Sequence, residues 1–315
     1  MKELVLDYIS KYPYLPKRAL AKIMFAENPG IFTDVEHARH QIRYYLGAHG
    51  DNSRQHECNV PLLPAEISKD YSPYVIPKVN DRILVLSDIH IPFQDNNAIK
   101  LAVEYGKHVE VNTILLNGDI FDFYSGSRFV KDPRLVDWKT EVKLAKEFLT
   151  WLRSEFPEAK IIFKVGNHEE RFEIYMKQNA PLLFQTDMYH VEDLLGLVEF
   201  GIDVVGDKRI IRAGKLNILH GHELRSFSGG VNPARTAYLQ THKSVLVGHY
   251  HRTSLHTEPD LEKKVVTCWS TGCLCSLWAE YDLYNKWNHG FAAVYTNDEL
   301  FEVENLRIVN GKVVN

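Results

Sequence analysis

"RILVLSDIH", residues 82–90, decides how the chain is read. Ile83 to Leu86 form a short, uniformly apolar run, which fits a strand buried on both faces. The run ends by setting down Asp88 and His90. "TILLN" (113–117), "KIIFKVG" (160–166), "LNILHG" (216–221) and "SVLVGH" (244–249) repeat the pattern. Helical stretches at 97–109 and 139–155 fall between several of them, and strands alternating with helices indicate an α/β sheet. Beyond residue 252, "KKVVTCWSTG" (263–272), "GFAAVYT" (290–296) and "LFEVENLRIVNGKVV" (300–314) read as antiparallel strands, with Asn310-Gly311 as a hairpin turn. The expectation is a layered α/β domain over 81–315 whose C-terminal part is mostly β.

Upstream, residues 1–50 read as helical, with Leu4, Ile9, Leu20, Ile23 and Met24 set among Lys and Glu. "NPGIF" (28–32) is a turn, and "TDVE" (33–36) matches a capping box with Thr33 as cap and Glu36 reaching back. Val35, Ala38, Ile42 and Tyr45 then form one apolar stripe, and Gly47 is the stop. The size and turn are those of a helix-turn-helix-like module. A DNA-binding reading places the last helix, with Arg39, His40, Arg43 and Tyr44, in a major groove. Residues 1–80 nevertheless carry ten Lys/Arg against nine Asp/Glu, which is no basic footprint. A packing or oligomerisation module is the alternative. Residues 51–80, polar and punctuated by Pro61, Pro64, Pro73 and Pro77, read as a linker or extended wrap.

The chain's 315 residues exceed one typical domain, and an apolar share of 45% supports a sizeable core. A net charge of −4 gives no global case for nucleic acid or an anionic membrane. The N-terminus has no apolar signal region, and no apolar window reaches the roughly 18 residues of a membrane span. Cys273 and Cys275 form C-x-C, not C-x-x-C, and read as buried thiols. The compartment expected is a reducing cytoplasm.

Each of the five apolar runs ends in a polar cluster: Asp88 and His90; Gly118, Asp119 and Asp122; Asn167 and His168; His220 and His222; His249 and His251. In an open α/β sheet the site lies beyond the carboxyl ends of the strands, where such loops converge. Asp and His supply oxygen and nitrogen ligands suited to Mn, Fe, Zn or Ni. They are too many for one tetrahedral ion, and two ions sharing a carboxylate would use them. Taken alone, Asp88 and His90 have a plainer reading as a strand-end turn with a capping Asp.

D-x-H, G-D-x-x-D, G-N-H-E, H-G-H and G-H-x-H, in that order over 88–251, are the motif blocks of calcineurin-like metallophosphoesterases, which this sequence resembles. The resemblance implies a layered β-sandwich flanked by helices, and two divalent ions, manganese first, with iron, zinc or nickel as alternatives. By matching position, Asp88, His90, Asp119 and His251 would hold one ion. Asp119 would bridge to the second, completed by Asn167, His220 and His249. In the H-G-H block the first His is the implied ligand, and His222 would lie beside the substrate. A metal-bridging hydroxide would attack phosphorus in line. His168 would stay off the metals as general acid, oriented by Asp122.

Arg128 and Arg171 follow motif loops and are candidates to bind substrate phosphate, against the alternative of solvated surface arginines. Glu169 and Glu170 read as outer-contact or helix-start groups, not catalysts. Trp269, Trp278 and Trp287 read as core or wall more than as a base-stacking platform. The block spacing is nearer the bacterial and phage phosphodiesterase-like branches than the protein phosphatases, because Asp122 is followed by Phe123 and Tyr124 where those enzymes have Arg-Gly. The preferred function is therefore a phosphodiesterase or nuclease acting on nucleic acid or nucleotides. The alternatives are a phosphomonoesterase on small molecules or phosphoproteins, and a DNA-binding or scaffold protein with a non-catalytic phosphoesterase domain.

Overall fold

The structure, a computed structural model, describes residues 1–47, 63, 66, 68–127, 132, 134–186, 189–206, 208–224, 230–279, 283–298 and 300–315. They form two compact units, Met1–Lys69 and Asp70–Asn315.

The first unit holds α1 (Lys2–Lys11), α2 (Lys17–Glu27) and α3 (Val35–Tyr45). Val5, Leu20, Met24, Ala38 and Ile42 are fully or almost fully buried in its core, with Val35 and Tyr45 packed against them. That is the apolar stripe read from the sequence. The cap differs from the expected box. Asp34, not Thr33, accepts the His37 backbone N–H at 2.7 Å. Glu36 turns outward to Arg39 at 3.1 Å instead of reaching back. A carboxylate at this position satisfies an orphan N–H and also meets the positive end of the helix dipole, which a hydroxyl does not. Residues 28–34 separate α2 from α3, a longer connection than the turn of roughly three or four residues in a simple helix-turn-helix. His40 and Arg43 are exposed, and Tyr44 meets Tyr45 edge-on at 5.0 Å.

In the second unit the strands run β1 (Tyr74–Val75), β2 (Arg82–Leu86), β3 (Thr113–Asn117), β4 (Lys160–Lys164), β5 (Ile202–Val205), β6 (Ile211–Ala213), β7 (Leu216–Leu219), β8 (Val245–Val247), β9 (Ser254–Pro259), β10 (Val265–Ser270), β11 (Gly290–Asn297), β12 (Leu300–Val309) and β13 (Lys312–Val314). Its helices are α4 (Asn96–His108), α5 (Trp138–Glu155), α6 (Glu170–Asn179), α7 (Pro181–Phe184), α8 (Val191–Leu195) and α9 (Pro233–Thr241), with a short 3-10 turn at Tyr124–Gly126. One sheet has the order β13-β12-β11-β2-β3-β4-β5, the other β1-β6-β7-β8-β10-β9. Of the expected linker, residues 70–80 belong to this unit, and Tyr74–Val75 pairs with Ile211–Arg212.

Side-chain alternation explains the layers. Ile83 and Val85 of β2 point between the sheets, onto Ile218 and Leu246. Leu84 and Leu86 point the other way, into a core shared with Ala102 of α4 and Leu149 of α5. The second sheet buries Val245 and Val247 against Ala234 and Ala237 of α9. Helices thus cover both outer faces of a two-sheet sandwich, which is why the central strands β2, β3, β4 and β8 carry no polar stripe. The C-terminal segment is antiparallel through β11, β12 and β13, and Asn310 and Gly311 take φ of 51° and 70°, as the hairpin turn requires. The run 263–272 departs from the expectation in one respect: β10 is antiparallel to β9 but parallel to β8.

The cap assignment is testable. Asp34→Ala should cost the α3 helix about 1 kcal/mol and raise amide exchange along it about fivefold. Thr33→Ala should leave those rates unaltered; the reverse ranking would restore the Thr33 cap.

Candidate active site

Asp88 and His90 follow β2, Asp119 and Asp122 follow β3, and Asn167 and His168 follow β4. His220 and His222 follow β7, and His249 and His251 follow β8. The first three strands belong to one sheet and the last two to the other. Backbone hydrogen bonds splice the loops together: Asp88 N–H to Gly118 O at 3.1 Å, His90 N–H to Asp119 O at 3.0 Å, and Gly248 N–H to His220 O at 2.7 Å. Asp88, His90, Asp119, His249 and His251 all have φ between 52° and 66°, the left-handed region that Asp and His enter more readily than most residues. Close approach fixes Gly166: a Cβ there would strike the backbone nitrogen and carboxylate of Asp119.

The result is a buried cluster of acceptors. Asp88, His90 and Asp119 form one group of possible metal ligands and Asp119, His220 and His249 another, with Asp119 in both; His90 also groups with His251 and Cys275, and with Asp122 and His168. His251 Nε2 lies 3.2 Å from Asp88 Oδ1, and His90 Nε2 lies 3.2 Å from His251 Nε2 and 3.9 Å from Asp119 Oδ2. Ligands held tetrahedrally about 2.1 Å from one ion stand about 3.4 Å apart, so these separations suit coordination. His220 gives the sharpest test of fit. Its Nδ1 lies 2.8 Å from the Asn117 carbonyl and must donate there, which leaves the Nε2 lone pair facing inward. That Nε2 is buried without a hydrogen-bond partner, 3.2 Å from Asp119 Oδ2. An imidazole nitrogen and a carboxylate oxygen at that distance need positive charge between them, as a proton on Nε2 or as a metal ion. Burial disfavours charge on His220, yet Asp119 outweighs it and pushes the imidazole up to about 10. Likewise burial would raise Asp88, but His251 holds it down at about 2. Asn167 Oδ1 is also buried and unpartnered, and Asn167 lines the same cleft. The donor set fits divalent ions.

His168, grouped with His90 and Asp122, also meets a guanidinium. Its Nδ1 faces Asp122 Oδ2 at 3.3 Å and the Asp122 carbonyl at 3.1 Å, while Nε2 meets Arg171 Nη2 at 2.9 Å. Burial opposes its charge, but Asp119 and Asp122 win and raise its pKa. Asp122 also reaches His90 Nδ1 at 3.2 Å and Arg171 Nη1 at 3.0 Å. Arg171 is therefore no solvated surface residue. Arg128 lies outside the described residues. His222 Nε2 turns toward Glu170 Oε1 at 3.4 Å and belongs to none of the ligand groups.

Glu169, expected as an outer-contact or helix-start group, is fully buried and accepts the backbone N–H groups of Asp119, Ile120, Phe121 and Gly166. Two other contributors carry no motif. Lys164, also fully buried, pairs with Glu223 at 2.8 Å, and Glu223 accepts the N–H groups of His220 and Gly221. A lysine inside an otherwise apolar strand was the available signal, because a buried ammonium demands a partner. Cys275 Sγ lies 3.9 Å from His251 Nδ1, and Trp287 packs on the His251 ring at 4.2 Å.

The family profile described as "Calcineurin-like phosphoesterase" matches residues 81–269, more than half the chain and all five motif loops. The chain belongs to the calcineurin-like phosphoesterases. It is a metal-dependent phosphoric ester hydrolase of that family, whose members use a dinuclear centre. Similar curated proteins are the Gene 54 proteins of Mycobacterium phage L5 and Mycobacterium phage D29. They are 28% and 27% identical over 248 residues, covering 74% of this chain and 96% of each relative. Among solved structures it is similar to YfcE, a phosphoesterase from E. coli (15% identity, 74% of this chain and 97% of that one, TM-score 0.38). It is also similar to Vps29 of Entamoeba histolytica complexed with zinc (15% identity, 74% and 96% coverage, TM-score 0.38). Among the described residues of this phosphoesterase, no helix is long and apolar enough to cross a membrane.

The buried ion pair beneath the His220 loop makes a stability prediction. Burial would raise Glu223, but Lys164 pulls it down to about 2. Its folded value lies below its unfolded one, so ionised Glu223 stabilises the fold above pH ~4.3, and that contribution fades as pH falls toward 2. Lys164→Met should cost about 3–5 kcal/mol in urea unfolding at pH 7, because it strands the carboxylate, and less at pH 4. Adding Glu223→Gln should recover part of the loss. A Lys164→Met variant as stable as wild type would show that the pair holds nothing.

Proposed function

We propose that this phosphoesterase hydrolyses phosphodiesters of nucleic acid or nucleotides, with Asp88, His90, Asp119 and His251 holding one divalent ion and Asp119, Asn167, His220 and His249 a second. Manganese is the ion we expect, on the hard and borderline character of the donors. When bound, the two ions supply Lewis-acid polarisation of the phosphoryl group and lower the pKa of a water molecule.

The observation that carries the diester reading is charge. Among the described residues lining the cleft, Arg171 is the sole Lys or Arg, and Asp122 already engages it at 3.0 Å. A phosphodiester brings one negative charge, whereas a monoester at neutral pH brings nearly two. A cleft whose described side chains add so little free positive charge to that of the two ions suits the first.

The chain's own groups then divide the work. Asp122 fixes the His168 ring by accepting from Nδ1, so that Nε2 addresses the cleft. Arg171 occupies that Nε2 in the resting arrangement. A substrate phosphoryl oxygen drawing the guanidinium toward itself would free Nε2, which the raised pKa equips to hold a proton and release it to the leaving oxygen. His222 is held by Glu170 at 3.4 Å. In the first unit, exposed His40 and Arg43 on α3 are the residues best placed to touch a nucleic-acid backbone, with Arg39 restrained by Glu36.

Purified protein treated with a chelator should lose activity and regain it with Mn²⁺, hydrolysing bis-p-nitrophenyl phosphate faster than p-nitrophenyl phosphate. Asp119→Asn should lose bound metal and activity together. His168→Ala should keep its metal, measured by elemental analysis, while kcat falls about 10²–10⁴-fold. Monoesterase activity without diesterase activity would overturn the substrate class, and loss of both ions in His168→Ala would overturn the division of roles.

A further inference from the structure

We infer that the cleft contains a ring-stacking subsite for a nucleobase, with Trp278 as its outer face; this rests on the phosphoesterase reading of the adjoining cluster. The cleft measures about 890 Å³, within the range that encloses a whole small ligand. Its floor is polar, with His90, Asp122, Asn167, His168 and Arg171. Its walls are not. Phe93 and Tyr124, from two motif loops, meet edge-to-face at 5.6 Å. Trp278 and Trp287 come from the segment between β10 and β11 and line the same cleft. Four aromatic side chains from three separate parts of the chain thus converge above one phosphoryl-binding floor.

The two tryptophans differ in depth. Trp287 packs against His251 at 4.2 Å, beside the cluster. Trp278 is 76% exposed, at the rim, a costly place for an indole that no ring among the described residues covers. Trp287, beside the cluster, suits a ring joined directly to the phosphate oxygen, whereas Trp278, exposed at the rim, suits a ring carried one sugar further out. That spacing favours a nucleobase over an aryl phosphate such as a phosphotyrosyl group. Recognition through ring faces is tolerant of base identity, since every base has a π face. The subsite therefore predicts affinity for nucleotides with little preference among them.

The test is equilibrium binding by calorimetry, with Mn²⁺ present, of adenosine 5′-monophosphate, thymidine 5′-monophosphate, ribose 5-phosphate and phenyl phosphate. Both nucleotides should bind about tenfold or more tightly than ribose 5-phosphate. Trp278→Ala should bring that ratio close to one, and Trp278→Phe should restore most of it. Equal binding of ribose 5-phosphate and the nucleotides, or a ratio indifferent to Trp278→Ala, would overturn the subsite. Phenyl phosphate showing the same dependence on Trp278 would assign the ring to an aryl ester and overturn the nucleobase. Hydrolysis of bis-p-nitrophenyl phosphate by the same preparations separates the two ideas. Hydrolysis without a nucleotide preference sinks the subsite alone. A Trp278-dependent preference without hydrolysis sinks the phosphoesterase reading alone, and neither result sinks both.

Discussion

The Glu169 carboxylate accepts hydrogen bonds from Asp119 N–H at 3.0 Å, Ile120 N–H at 2.8 Å, Phe121 N–H at 3.0 Å and Gly166 N–H at 2.8 Å, out of reach of water. These donors come from two loops, those after β3 and β4, and in the turn they adopt they have no ladder partner. Leaving them unpaired in the interior would cost about 1–3 kcal/mol each. The carboxylate satisfies all four and so fixes the path of the chain that carries Asp119, Asp122, Asn167 and His168. Burial, and then Asp119, push its carboxyl up to about 7. Positive charge at Asp119 would offset both effects and keep Glu169 ionised as an acceptor, so the clamp and the cation site support each other.

The clamp holds Asp119, one of several strained residues of the site. Five of the site's Asp and His residues occupy the left-handed region, at a cost on the order of 1 kcal/mol each. Strain of this kind persists where the surroundings over-determine the backbone. Here the surroundings are the two-sheet core and two buried carboxylates, Glu169 under one sheet's loops and Glu223 under the other's. The sheets supply rigid strand ends, and each carboxylate turns the chain sharply off them. Gly166 is required where the β3 and β4 loops touch, because any side chain would push Asp119 out of place.

Much of this was legible in the sequence, for definite reasons. The strands that carry the motif loops are buried on both faces, so their apolar runs are uninterrupted and easy to see. The strands that escaped notice are β1, β5, β6 and β9. They are short or polar: β9 is largely exposed, and β1 has two residues. The convergence of the five polar clusters followed from their order and from the rule that sites lie beyond strand ends. Of the second layer, the sequence marks Glu169 as an outer-contact or helix-start group, as the structure has it, but marks neither Glu223 nor Lys164. Their partners are backbone N–H groups and each other, distant in sequence and without a motif of their own. Arg171 stayed undecided because its surroundings, Asp122 and His168, are set by tertiary contacts alone.

One regularity sorts the histidines in a way that spacing could not. His90, His220 and His168 each turn Nδ1 outward to an acceptor: Asp122 Oδ2, the Asn117 carbonyl, and Asp122 Oδ2 again. An outer acceptor fixes the tautomer and leaves Nε2 as the inward lone pair. His251 follows the same plan, with Cys275 Sγ on its Nδ1 side. For His90 and His251 the inward nitrogens face each other and Asp88, and for His220 the inward nitrogen faces Asp119. Each is an arrangement that calls for positive charge, as a proton or a metal ion. His168 Nε2 is 3.8 Å from Asp119 Oδ2, but Arg171 is nearer at 2.9 Å, so a cation already stands before it. The same Nδ1 anchoring thus leaves Nε2 of His90, His220 and His251 facing one another or a carboxylate, and Nε2 of His168 facing the Arg171 guanidinium. Asp122 anchors both the His90 and the His168 ring with one carboxylate, which is a physical use for a second Asp three residues after Asp119.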